Sequence, residues 1–312
     1  MKWIKKGFIC DCHSFDLPWY KKNSMVPLPY QLNNDTIRIF LTMCDEQNIG
    51  RIGYVDVKAD NPSEIVAYSK KPLIDIGIDG TFDDNGVVTA SLLEDNGKLY
   101  MYYSGYQLCV KVPYLIFTGV AVSTDHGHSF TKLTTEVPLL DRVEGELANR
   151  CVPFVIKEGN KYKMWYTASV SDGWIKAPTK LEPLYNLKYM ESDNPLVWQR
   201  KAGKTVIDFK NSDEHGICKS VLWKEDGLYK IIYSLRHLSK GYRLGYGESA
   251  DGINWTRKDD KVGITISEKG HFDDDMICFG ERLECKGKTY LFYSGNHYGM
   301  AGIGYAELVD KN

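Results

Sequence analysis

The chain has 312 residues, and its 39 Lys and Arg against 41 Asp and Glu give a formal net charge of -2. Hydrophobic residues make up 43% and charged residues 26%, which is typical of a globular protein. The near-neutral charge argues against a nucleic acid partner, and no apolar run approaches the roughly 20 residues that span a bilayer. Because the lysines near the N-terminus precede no apolar stretch, we expect a cytoplasmic protein that does not bind a membrane.

Aromatic and β-branched residues dominate the apolar runs of the chain, which contains 21 Tyr and 7 Trp. Such runs favour strands, and helical periodicity is nearly absent. The eight cysteines are scattered, and we expect most of them to be reduced thiols buried in strands. Turn residues separate paired apolar runs, as expected of β-hairpins, at Asp95-Asn96-Gly97, Glu158-Gly159-Asn160, Glu225-Asp226-Gly227 and Lys286-Gly287.

One strand pattern recurs five times. Its last four copies end in Tyr-Ser or Tyr-Thr, and from Leu41 through Tyr103, Tyr166 and Tyr233 to Tyr293 the steps are 62, 63, 67 and 60 residues. Repetition at a near-constant period indicates an array of similar supersecondary units. In chain order the copies occupy residues 36–42, 98–104, 161–167, 228–234 and 288–294.

Each copy continues into a second strand, and three copies add a tight turn and an outer strand, for example over Ser249-Ala250-Asp251-Gly252-Ile253-Asn254-Trp255. Units of about four strands are typical of propeller blades. The sequence therefore predicts an all-β, five-bladed β-propeller with a central channel, as one domain over residues 1–312. We expect the N-terminal strand around Trp3 to close the ring after Ala306. A single many-stranded sandwich is the competing architecture.

Carboxylates recur just before the innermost strand of most units. The segments that begin at Gly80 and Gly270 match at an offset of 190 residues. Converging carboxylates bind cations or perform acid/base chemistry, whereas single ones also form turns. We regard the set as a candidate site, comprising Asp16, Asp83, Asp84, Glu146, Glu214, Asp273, Asp274 and Asp275.

Aromatic and cationic side chains in or near these segments are candidates for binding sugar hydroxyls. We expect no cofactor, and the spacing of the ligand-type residues supports no metal site. Together with the carboxylates Glu214, Asp273, Asp274 and Asp275, the candidates for substrate binding are His13, Trp19, Arg150, His215, Arg282 and His297.

The five-unit pattern, the Phe82-Asp83-Asp84-Asn85-Gly86-Val87 segment and the Ser-x-Asp-Gly-x-x-Trp outer turns resemble the five-bladed propeller glycoside hydrolases of families 43, 32, 68 and 130. The chain is most similar to uncharacterised bacterial propellers often found near sugar or surface-polysaccharide genes. This similarity covers nearly the whole chain. It implies a glycosidase-like enzyme that acts on a small sugar, glycoside or sugar nucleotide.

The resemblance also implies catalytic roles by position. Glu146, with Glu144 as its rival, corresponds to the general acid, and Asp83 or Asp84 corresponds to the second acidic residue. The general base is Asp16 or a carboxylate of the fifth unit, since the usual Asp-Pro motif of the first unit is missing. We expect inversion, in which the two carboxylates face each other across an opening.

Two other functions stay open. A phosphorylase or glycosyltransferase could use Arg150, Lys219 or His215 to hold phosphate. A non-catalytic sugar-binding propeller is the third hypothesis, because no residue in the sequence is uniquely catalytic.

Overall fold

The computed structural model describes residues 1–176 and 180–310, with the side chains of residues 171 and 172 left out. Apart from a 3-10 turn at Asp259–Lys261 and one short helix, α1, at Asn296–Gly299, its regular elements are strands. The strands are β1 Lys2–Cys10, β2 Ser24–Gln31, β3 Thr36–Cys44, β4 Gly50–Lys58, β5 Ile65–Tyr68, β6 Val87–Asp95, β7 Lys98–Leu108, β8 Tyr114–Ser123, β9 Thr131–Lys132, β10 Asn149–Glu158, β11 Lys161–Lys176, β12 Leu181–Ser192, β13 Lys204–Ile207, β14 Glu214–Glu225, β15 Leu228–His237, β16 Gly241–Ser249, β17 Thr256–Arg257, β18 Cys278–Cys285, β19 Lys288–Ser294 and β20 Ile303–Asp310.

Successive strands pair antiparallel in groups of four. The first four groups are β2 to β5, β6 to β9, β10 to β13 and β14 to β17. In the fifth group β18, β19 and β20 are completed by β1, where Trp3 is opposite Leu308 and Phe8 is opposite Gly304. The all-β prediction and the pairing of the N-terminal strand after Ala306 are thus confirmed.

The hydrophobic core is divided among the interfaces between consecutive groups. Phe40 and Met101 belong to a cluster between the first and second groups, and Ile39 and Phe292 to one between the first and fifth. Three further clusters lie between the second and third, third and fourth, and fourth and fifth groups. The first strand of each group also contacts the first strand of the next, in the order β2, β6, β10, β14, β18 and back to β2.

The Ser or Thr after each repeated Tyr links one group to the next. In three of these copies the hydroxyl accepts the backbone N–H of a residue at a β-bulge in the neighbouring first strand, as Ser104 does from Val152 at 2.9 Å. Thr167 instead donates its hydroxyl to the carbonyl of Ile217 at 3.5 Å. Ser294 accepts from Val26 at 3.2 Å, closing the circuit between the fifth and first groups. The repeat is visible in the sequence because the same Ser or Thr position contacts the neighbouring group in each of these copies.

All eight cysteines are free thiols, six of them buried, as the sequence predicted for most of them. In the part of the chain that the structure describes, no helix has the length and apolar character needed to cross a membrane.

Candidate functional site

Asp83 is fully buried beside the repeated tyrosine of its own group. One carboxylate oxygen accepts hydrogen bonds from Tyr103 at 3.1 Å and from Lys132 at 2.7 Å. The other accepts one from the Thr81 hydroxyl at 3.1 Å. The carboxylate thus ties the segment before β6 to β7 and to the outer strand β9.

Glu146 has the same surroundings in the third group. It is fully buried and accepts hydrogen bonds from the Tyr166 hydroxyl at 2.9 and 3.0 Å and from the backbone of Gly203 at 2.9 Å. Two cations compensate its charge, Arg150 at 2.6 Å and Lys188 at 3.3 Å. Both carboxylate oxygens are engaged by groups of the protein itself.

The fourth and fifth groups repeat this arrangement with small changes. Asp273 is buried and bound by Tyr293 at 3.0 Å and by Lys5 of β1. Glu214 is held by Arg257 at 2.7 and 3.0 Å; burial opposes its charge, but this guanidinium lowers its pKa overall. The four recurring carboxylates are therefore not brought together. Each lies inside its own group against a cation.

The remaining predicted carboxylates lie in turns or at the surface. Asp84 accepts the backbone N–H of Gly80 at 2.9 Å, and Asp274 accepts that of Gly270 at 2.6 Å, which accounts for the match between the two segments. Asp275 is exposed. Asp16 is also fully exposed, 3.6 Å from Lys21.

The predicted sugar-binding residues are spread over several regions. His13 is exposed, and the half-buried Trp19 donates its indole N–H to the carbonyl of Lys70 at 3.0 Å. Arg282 lies over the Trp223 ring with its guanidinium carbon 4.9 Å from the ring centre. His297 is exposed and has a left-handed backbone with φ 52°.

The two cations considered for phosphate binding are both paired inside the protein. Besides Glu146, Arg150 reaches the carbonyl of Asp141 at 2.8 Å. Lys219 is buried against Glu281 of the neighbouring first strand, and burial raises the pKa of Glu281 despite this ion pair. Of the three residues considered for phosphate binding, only His215 lacks a hydrogen bond of good geometry to its side chain among the described residues.

A different set of side chains does converge at the end where the first strands begin. We name it the Arg236 cluster. It consists of Glu182, Tyr185, His215, Arg236, Tyr242 and Tyr298. These residues come from the third, fourth and fifth groups, and they share this end because successive strands run antiparallel.

Arg236 is the centre of the cluster. Its Nη2 lies 3.0 Å from a carboxylate oxygen of Glu182 and donates to the hydroxyl of Tyr298 at 2.9 Å. The rings of Tyr242 and Tyr298 lie 5.6 and 5.7 Å from the guanidinium carbon. The hydroxyls of Tyr185 and Tyr242 are hydrogen-bonded to each other. A fixed cation flanked by aromatic faces is suited to hold a polar ring with hydroxyl or acidic substituents.

His215 is 2% exposed, yet neither ring nitrogen makes a hydrogen bond of good geometry. Burial, together with the positive charge of Arg236, lowers its pKa to about 4, so the imidazole is neutral at pH 7. It sits at a register shift at the start of β14, where a bulge redirects side chains. Buried polar atoms without partners are rare in native proteins and often mark a site that binds water or a ligand.

Aromatic residues extend the cluster towards the second group. The half-buried Tyr114 ring lies 5.6 Å from Tyr106 and 5.1 Å from Trp174 of the long hairpin β11–β12. Tyr298 is 37% exposed and its backbone has φ 58°, a strained value for a residue with a side chain. Some of these rings are therefore accessible from solvent.

Sequence reasoning missed most of this cluster. Arg236 follows the repeated Tyr233-Ser234 by two residues, which was the one local signal available. Glu182 and Tyr298 lie in segments without a repeat partner. Only the fold places them beside Arg236.

An open depression of about 600 Å³ lies at the opposite end of the strands. Its only carboxylate, Glu94, accepts a hydrogen bond from Tyr30 at 2.8 Å, and the other lining residues are neutral. The Arg236 cluster therefore has the richer chemistry.

The fold is that of glycoside hydrolases. The chain superposes on a thermostable family-43 glycoside hydrolase with a TM-score of 0.68 and 13% identity, covering 95% of this chain and 93% of that one. For a glycosyl hydrolase from Bacteroides ovatus the TM-score is 0.69 at 17% identity, with 100% and 91% covered. For an alpha-L-arabinofuranosidase from Lactobacillus brevis it is 0.69 at 10% identity, with 97% and 95% covered. The chain thus shares the fold of these glycoside hydrolases, as the sequence resemblance implied.

By sequence, the chain belongs to the family of the uncharacterized proteins MT1551 and Rv1502 of Mycobacterium tuberculosis, strains CDC 1551 and H37Rv. It is 30% identical to each over 308 residues, which is 99% of either chain. No established family profile matches the sequence.

Proposed function

We propose that the chain is a glycosidase-like carbohydrate-active enzyme built as a five-bladed propeller, with its substrate bound over the Arg236 cluster at one mouth of a central channel. The five strand groups would be the blades. Their ring of core clusters and the contacts between first strands support this arrangement. The convergence of Arg236, Glu182 and an unpartnered His215 among tyrosine rings is the observation that carries the functional proposal.

Glu182 is the carboxylate that we propose for the chemistry. Its side chain is 13% exposed, and its two carboxylate oxygens lie 3.0 Å from Arg236 and 3.2 Å from Lys180. An ionised carboxylate activates water or attacks the sugar directly. Asp83, Glu146, Glu214 and Asp273 would instead stabilise the blades, because each is buried and paired with a cation of the protein.

A non-catalytic sugar-binding role is the second candidate, and one observation favours it. Glycoside hydrolysis ordinarily needs two carboxylates on opposite sides of the bond. The Arg236 cluster as described contains one, Glu182. The first experiment must therefore separate binding from turnover.

Purified protein would be incubated with a panel of glycosides and sugar nucleotides, with and without inorganic phosphate, and products followed by mass spectrometry. We expect product from the wild type, at least about a hundredfold less from Glu182→Gln, and unchanged turnover in the exposed control Glu268→Gln. A requirement for phosphate would indicate phosphorolysis instead of hydrolysis. Sugar binding without product in any protein would favour the binding role and remove the catalytic role from Glu182.

A further inference from the structure

Arg236 supplies the buried positive charge of the Arg236 cluster. Arg236 and Lys180 both contact the carboxylate of Glu182, and His215 is neutral at pH 7 because burial and the charge of Arg236 lower its pKa to about 4. The guanidinium is largely buried, with 12% of its side chain exposed, so solvent screens its charge poorly.

The guanidinium also has hydrogen-bonding capacity beyond these contacts. Glu182 and Tyr298 both contact Nη2 and account for two of its five N–H donors. A planar guanidinium recognises carboxylate and phosphate oxygens through paired hydrogen bonds. Neither ring nitrogen of His215 makes a hydrogen bond of good geometry to the described residues, and His215 directly precedes Gly216, which is opposite Arg236 in the β14–β15 pairing.

From these observations we infer that the cluster binds a sugar with an acidic substituent, a carboxylate or a phosphate, which Arg236 holds while His215 bonds to a neighbouring ligand oxygen. This inference rests on the proposed function, since it names the substrate class of the same site. The tyrosine rings would contact the apolar face of the sugar.

The test is a set of matched ligands measured by isothermal titration calorimetry. Glucuronic acid and galacturonic acid would be compared with glucose and galactose, glucose 6-phosphate with glucose, and inorganic phosphate would be measured alone. We expect at least one acidic sugar to bind about tenfold or more tightly than its neutral counterpart, because a charge-assisted hydrogen bond replaces a neutral one. The comparisons with the uronic acids and with glucose 6-phosphate show whether the site prefers a carboxylate or a phosphate.

Three variants test which residues are responsible for the preference for the acidic sugar. Arg236→Gln should reduce the preference for the acidic sugar to less than about threefold, and Arg236→Lys, which keeps the charge but not the paired donors, should retain part of it. His215→Asn should weaken both members of a pair. Arg142→Gln, a control, changes an exposed arginine at the same end of the strands and should leave the preference unchanged. Circular dichroism would confirm that each variant is folded.

Equal affinity for acidic and neutral sugars would overturn the inference and leave the proposed function standing. Inorganic phosphate binding as tightly as glucose 6-phosphate would overturn it too, since the site would then recognise an anion without the sugar. No binding of any sugar on a broad panel would count against the proposed function itself. If Arg236→Gln is unfolded, the partial loss of the preference in Arg236→Lys still decides.

Discussion

Tyr103, Tyr166, Tyr233 and Tyr293 each donate their hydroxyl to a buried or half-buried carboxylate, which also faces a cation. A phenol alone would not stabilise a buried carboxylate, because removing such a charge from water costs several kcal/mol. The added lysine or arginine compensates the charge, and the tyrosine satisfies a further lone pair. Each trio therefore cross-links strands that are distant in sequence.

Asp83→Asn should destabilise the protein by about 3 kcal/mol, because it leaves Lys132 largely buried and without its carboxylate. The free energy of unfolding in urea would measure this loss. Asp16→Asn, at a fully exposed position, should change it by less than about 0.5 kcal/mol. Unaltered stability combined with lost turnover in Asp83→Asn would instead restore Asp83 as a catalytic candidate.

His215 should make stability depend on pH in a defined range. Its pKa is about 4 in the folded protein, against about 6.5 when unfolded, so between these values the unfolded chain binds the extra proton. Stability therefore falls as pH decreases from about 6.5 to about 4, by roughly 3 kcal/mol for this group. The charged groups that act on it are Arg236, Glu182 and Asp213.

Urea unfolding of the wild type and His215→Asn across this pH range would isolate the effect. The difference between the two proteins should grow in favour of the variant as pH falls. A constant difference from pH 7 to pH 4 would show that His215 titrates normally in the folded state.

At the scale of the strands, glycine in the third strand makes room for the tyrosine of the second. A Cβ at Gly245 would lie 2.3 Å from the Tyr233 ring, and one at Gly119 would lie 2.4 Å from the Tyr103 ring. In the third group Lys188 takes this position and supplies the cation itself. The recurring Gly-Tyr and Gly-Val pairs of the sequence thus have a steric cause.

Gly245→Ala should therefore cost about 1–3 kcal/mol, since the new methyl group displaces a packed ring and the Asp259 carboxylate behind it. Thermal unfolding would measure the loss. Gly280→Ala is a suitable control, because its new Cβ would meet only leucine side chains at 3.3 Å or beyond. Equal losses in both variants would mean that the tyrosine contact does not determine the effect.

At the scale of the whole molecule, β1 joins the two ends of the chain. It pairs with β20, buries Trp3 between the fourth and fifth groups, and supplies Lys5 to Asp273. Without β1, strand β20 would be the outer edge of the fifth group and would present unpaired backbone N–H and C=O groups.

Deletion of residues 1–10 should lower the unfolding midpoint and cause self-association, which size-exclusion chromatography would detect. A synthetic peptide of residues 1–10 should restore the monomer, whereas full-length Lys5→Gln should lose stability without associating. A truncated protein that remains monomeric with an unchanged midpoint would contradict this role of β1.

Much of the fold could be predicted because it is repeated. Most units place a Tyr, a Ser or Thr, and a facing glycine at fixed positions, and the repeated copies make these requirements visible above the background of a single strand. Turn residues such as Asn96-Gly97 also predicted the hairpins, because a tight turn requires particular residue types at its centre. The carboxylates at Asp83 and Asp273 also recurred in register, but their recurrence reflects contacts within each group.

The sequence by itself determined the strand groups, their order and the closing role of the N-terminal strand, because these depend on local propensity and on repetition. Only the tertiary structure decided which polar side chains meet. Arg236, Glu182 and Tyr298 come from three different groups and form no motif along the chain. A site assembled once, from single residues of several units, has no periodic signal, and its charge balance exists only when the groups are packed together.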